Sequence, residues 1–127
     1  MAAGRAVLSV PAMTLIRTFA IVLVFDLLGL IVALATGTDL GHALVTGTSI
    51  NAPFTFVAVQ ALIVLAATRH RVGAAVLAVL CTISVVSGFS DGSYADDLAA
   101  YERAIQVALV AATAALGAFA ARRAVVG

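Results

Sequence analysis

AIVLVFDLLGLIVAL (residues 20–34) is an apolar run broken near its middle by a single acid, Asp26. A charged group at the centre of a membrane helix costs at least about 2.5–3.5 kcal/mol, so the chain needs a reason to keep one there. The surroundings of the run set the solvent. Of 127 residues, 64% are hydrophobic and 10% are charged, and the mean hydropathy is +1.20. A soluble domain carries about a quarter charged residues, and this composition could not cover a surface against water. A lipid bilayer is therefore the expected environment and the first expected partner.

Three further apolar segments follow the first. The expected spans cover about 18–36, 53–68, 72–89 and 104–121. Each holds about 16 to 19 residues, close to the shortest length that crosses a hydrocarbon core of about 30 Å. Lipid cannot satisfy backbone N–H and C=O groups, so such spans must be helical. Ser49 or Asn51 is placed to cap the second helix, with Pro53 near its first turn. Thr36-Gly37 is placed to stop the first helix, and GFSDG (88–92) the third. Only Arg69-His70-Arg71 separates the second from the third, which requires a tight hairpin. The expected fold is an all-α membrane protein, with residues 1–127 forming one antiparallel four-helix transmembrane bundle.

The arginines orient it. All seven basic residues are arginine, and six of them (Arg5, Arg17, Arg69, Arg71, Arg122, Arg123) flank the same ends of the four spans. The other two connections hold Asp39, Asp91, Asp96, Asp97 and Glu102, with Arg103 their one base. Basic residues mark cytoplasmic loops, so both termini and the 69–71 turn are expected inside. The absence of lysine, together with abundant alanine and valine, suggests the coding bias of a GC-rich bacterium. The expected location is then the bacterial plasma (inner) membrane. Ala33-Leu34-Ala35 has the form of a signal-peptidase site, but the apolar run is long for a signal peptide and Asp26 interrupts it, so the first helix is expected to be retained.

Counting from the arginines gives Asp26 company. It lies nine residues beyond Arg17, Gln60 nine before Arg69, Cys81 ten after Arg71 and Thr113 nine before Arg122. At about 1.5 Å per residue these four candidate site residues share a level about 14–15 Å from the cytoplasmic boundary. Thr82 lies beside Cys81, with Ser84 and Ser87 further outward. A protonated Asp26, the less costly state in hydrocarbon, is expected to bond Gln60 or Thr113. Interhelical bonds of this kind contribute about 0.6–2 kcal/mol each. Thr113, Gly117 and Ala121 also form a small-residue ridge that permits close helix approach.

Other chemistry is excluded or left without a carrier. A net charge of +1 gives no footprint for nucleic acid, and one cysteine excludes an internal disulfide. There is no G-x-S-x-G, H-E-x-x-H or C-x-x-C motif and no phosphate-cradling glycine loop, so no catalytic residue, cofactor or metal ligand set is nominated. His42 and the acids of the two outer connections match no metal-ligand spacing and read as a solvated acidic face. Tyr94 and Tyr101 read as interface anchors, and Asp96 to Arg103 as a helical lead-in to the last span.

The leading functional expectation is a non-enzymatic accessory or interaction subunit, working as a homo-oligomer or within a larger membrane complex. The alternative is a carrier or binder of a small hydrophobic or cationic molecule, with Asp26 as proton or counter-charge site. An enzyme acting on a lipid or quinone is the third and least supported class.

Overall fold

In a computed structural model, residues 10–48, 50–90 and 99–126 are described, and every regular element among them is a helix. Helix α1 (Ala12–Ala35) starts after Pro11, whose carbonyl accepts from the Thr14 N–H at 3.0 Å. Its start lies well before the expected boundary at residue 18, so Arg17 sits exposed inside the helix and does not mark its end. The C-terminus follows expectation. Gly37 takes a φ of 103°, the Gly37 N–H donates to Leu34 at 3.2 Å and the Thr38 N–H to Ala33 at 2.9 Å, which closes a Schellman motif.

The connection from 36 to 53 is built, not open. Asp39 caps a short helix, α2 (Leu40–Val45), by accepting from the His42 N–H at 3.2 Å; no helix is expected here from the sequence. Gly47, with φ of 80°, then reverses the chain. The Thr48 hydroxyl donates to Asn51 Oδ1, and the Asn51 amide donates to the Ala43 carbonyl at 3.0 Å. Asn51 therefore holds this connection together and does not cap the next helix; Ser49, the other expected cap, lies outside the described residues. Helix α3 (Phe54–Ala67) starts from Pro53 with no side-chain cap.

Helix α4 (Arg71–Ser90) follows a tight hairpin at Thr68–His70. Gly73 permits that hairpin, since a Cβ there would lie 2.5 Å from the Ala66 carbonyl carbon. The expected stop at GFSDG is passed as far as Ser90; Asp91 and Gly92 lie outside the described residues, as do Arg5, Tyr94, Asp96 and Asp97. Helix α5 (Ala100–Val126) begins where Glu102 accepts from the Ala99 N–H at 3.2 Å, so the lead-in expected before residue 104 is present over its described part.

The four longer helices pack as a ring, α1 to α3 to α4 to α5 and back to α1. The α5 contacts with α4 and α1 are the most extensive, and the direct α1–α3 contact is sparse. The main core lies toward the arginine-bearing end, where Leu15, Leu77 and Leu116 are fully buried among Phe19, Val64 and Ala120. Gly117 faces inward against Cys81, and Ala120 is buried where the expected ridge has Ala121, which is exposed. Arg123 ties this end together. Its guanidinium donates to the carbonyls of Ala67 at 2.8 Å, Thr68 at 2.8 Å and Val10 at 2.7 Å, which satisfies the C-terminal carbonyls of α3 and joins three chain segments. At the opposite end burial is thin, with Ala33, Ile50 and Ile105 forming a small separate cluster.

Candidate functional site

Asp26 and Gly29 stand one turn apart on α1, and both face the returning connection. The Ala52 N–H donates to Asp26 Oδ1 at 2.6 Å. One turn further along, the Ile50 carbonyl oxygen approaches so closely that a Cβ on Gly29 would sit 1.7 Å from it. The acid in the apolar run thus holds backbone. It satisfies an N–H that otherwise has no partner as the chain enters α3, and the glycine leaves room for that backbone to come in.

This docking sets the levels of the expected polar layer. Asp26 lies fourteen residues beyond Ala12, about 21 Å along α1. Cys81 contacts Gln60 and packs on Gly117, one turn (about 6 Å) from Thr113 toward the Arg123 end. Asp26 instead meets Ala52, ahead of α3 and eight residues before Gln60. The single level expected from the arginines is a staircase, because Arg17 is not the end of α1. The expected bonds change with it. Gln60 Nε2 contacts Cys81 Sγ at 3.8 Å, and the Thr113 hydroxyl donates to Leu109 on its own helix at 2.8 Å. Neither reaches Asp26. Thr82 points outward, with its hydroxyl on the Ala78 carbonyl at 2.8 Å.

What the residues share is space. Asp26, Gln60 and Thr113 line one cavity of about 450 Å³, and Cys81 lies beside its floor through Gln60. The cavity occupies the half of the bundle away from Arg123, between the connection, the first half of α3, the second half of α4 and the first half of α5. Its volume falls in the range of small-molecule sites, about 300–1,000 Å³. Val22, Phe56, Val57 and Val110 supply apolar wall, and Ser84, Ser87, Asn51 and Gln106 supply polar wall. Asp26, Gln60, Gln106, Asn51 and Thr113 are all buried.

Two of these groups have capacity left over. Among the described residues nothing donates to Asp26 Oδ2 or to Gln60 Oε1, although Asp26 is 7% exposed and Gln60 1%. No fully buried polar side-chain atom lacks a partner among the described residues, so both oxygens are reachable from the cavity. The connection residues Thr46, Thr48 and Asn51 are the part of the site that sequence reasoning misses. A usable signal was the pairing of Asp26 with Gly29 beside an α3 segment too short to match its neighbours. Gln106, which the sequence reading does not nominate, lies two turns from Thr113 on the same face of α5.

Compared with protein-family models, curated proteins and solved structures, the chain gives no match. The site must be interpreted from its own chemistry.

Proposed function

We propose that this chain is a multi-pass protein of a bacterial plasma membrane, with both ends in the cytoplasm, that binds a small amphiphilic molecule in the cavity between Asp26, Gln60 and Thr113. The observation that carries this reading is the cavity itself, which lies between the helices and the 46–53 connection and is lined by the buried polar side chains Asp26, Gln60, Asn51, Gln106 and Thr113.

Membrane embedding is supported by what the helices show to the outside. Ile31 on α1, Leu62 on α3, and Val79 and Ile83 on α4 are all more than half exposed. Helices α1 and α5 are long and apolar enough to cross, whereas α3 at 14 residues extends only about 21 Å. In a bilayer the 46–53 segment would complete that crossing. Non-helical backbone at membrane depth is tolerated only where protein or a water-filled cavity satisfies it, and Asp26 supplies that partner to Ala52.

The binder reading takes precedence over an accessory subunit for one reason. A subunit that acts through its outer faces gives no cause to keep unfilled acceptors inside. The test compares the purified wild type with Val110→Phe, a substitution that puts an aromatic ring into the cavity beside Thr113. Added or co-purifying amphiphiles should raise the unfolding midpoint of the wild type and leave the variant unmoved. Equal response of the two proteins would overturn the binding site. A C-terminal green-fluorescent fusion should fluoresce if the C-terminus is cytoplasmic, and a dark, translocated fusion would overturn the topology.

A further inference from the structure

We infer that the ligand of this cavity is an organic ammonium ion, a primary or secondary amine on an apolar body, held head-first by the Asp26 carboxylate. The inference rests on the cavity being a ligand site and adds the chemical class.

Hydrogen-bond supply decides the class. Asp26 is more than nine-tenths buried, and among the described residues its one hydrogen bond is from Ala52 to Oδ1, which leaves Oδ2 for an incoming donor when the group is a carboxylate. Asp26 is the one ionisable residue among the described residues that line the cavity, so no cationic side chain of the lining offsets its charge. A buried carboxylate is costly unless paired, and an ammonium group supplies both the N–H donors and the opposite charge. A neutral alcohol would bring one donor and no charge. A carboxylate ligand would bring acceptors and repulsion.

The rest of the cavity suits the body of such a molecule. Val22, Val57 and Val110 give it apolar contact, and Phe56 adds an aromatic wall of the kind that attracts ammonium groups. The nearest arginine with a bond to the lining is Arg103, whose Nη1 donates to Gln106 Oε1, so that acceptor is already filled.

The experiment uses three probes with one body and different heads: phenethylamine, phenethyl alcohol and phenylacetate, titrated at neutral pH against the full chain in lipid nanodiscs. The amine should bind at least about tenfold tighter than the alcohol, a gap of about 1.4 kcal/mol, and phenylacetate should not bind. Asp26→Asn keeps an acceptor for Ala52 but replaces Oδ2 with an amide donor, so the preference for amine should vanish while the alcohol still binds. Val110→Phe should abolish binding of both. If amine and alcohol bind the wild type equally and Asp26→Asn changes neither, the ammonium assignment is overturned and the cavity stands. If none of the probes binds, or Val110→Phe binds them as the wild type does, the cavity reading falls with it. Should Asp26→Asn fail to fold, the order amine over alcohol over carboxylate in the wild type decides the matter.

Discussion

Gly29→Ala should destabilise this protein, although helix propensity alone predicts the opposite. Within a helix, alanine is favoured over glycine by about 0.8–1.0 kcal/mol, so a Gly29 that did nothing but sit in α1 would be improved by the change. Here the new Cβ would lie 1.7 Å from the Ile50 carbonyl oxygen and 2.7 Å from its carbon. Restoring a contact of about 3.5 Å requires the Ile50 carbonyl to retreat by about 1.8 Å. The obstructing atoms are backbone, so no side-chain rotation relieves them. Ala52 is two residues on, and its 2.6 Å bond to Asp26 would stretch beyond hydrogen-bond range if the segment moved as a unit. Leaving the Ala52 N–H unpaired costs about 1–3 kcal/mol. Subtracting the propensity gain leaves a net loss of up to about 2 kcal/mol. Unfolding of the purified variant in mixed micelles, followed by circular dichroism against added denaturing detergent, reads the sign directly. A variant as stable as the wild type or more so would refute the docking of residues 50–52 on α1.

Three other outcomes follow from the same contacts. Asp26→Asn should stay within about 1 kcal/mol of the wild type because it still accepts from Ala52, whereas Asp26→Leu leaves that N–H unpaired and should cost about 1–3 kcal/mol in the same unfolding assay. Arg123→Leu withdraws the donors from the carbonyls of Val10, Ala67 and Thr68 and should cost at least about 2–3 kcal/mol, with Arg123→Lys recovering only part because its ammonium cannot span all three; faster amide exchange at the end of α3 is the local readout. Leu116→Ala, at a fully buried position between α4 and α5, should cost about 2–5 kcal/mol by calorimetry and leave the amine preference intact, since it lies outside the cavity lining.

The long apolar helices were legible because hydrophobicity and Gly37 both act locally. A Schellman stop needs only a residue that tolerates positive φ, and the sequence displays it. The hairpin at 68–70 was legible for the same kind of reason, since so few residues separate α3 from α4. Of the four candidate residues, Asp26, Gln60 and Thr113 line one cavity, and Cys81 is not among its lining residues. Their mutual bonding was not legible. Depth counted from charges fixes neither rotation about the helix axis nor where a helix starts, and Arg17 lies inside α1. The connection was the larger omission. Its fold depends on Asn51 reaching Ala43 and on Ala52 reaching Asp26, partners 8 and 26 residues away, and no periodicity encodes such contacts.

The two ends of the bundle are built on different physics, and the division explains where a site can be. At the arginine-bearing end the helices meet through leucine, alanine and inward glycine, and Arg123 closes the carbonyls that remain. Close packing there supplies cohesion. At the other end α1 and α3 meet sparingly, and the seam between them is filled by a connection held through polar bonds. Polar bonds of this kind contribute about 0.5–1.5 kcal/mol each, less than a buried leucine. The same acid stands in two places at once. Oδ1 keeps the segment seated, and the residue lines the space that the segment borders. A carboxylate is suited to both at once because its two oxygens accept independently along different directions. Serine at position 26 would offer one oxygen, and asparagine would turn one of its two ends into a donor. That is a sufficient physical reason for an acid at the centre of AIVLVFDLLGLIVAL.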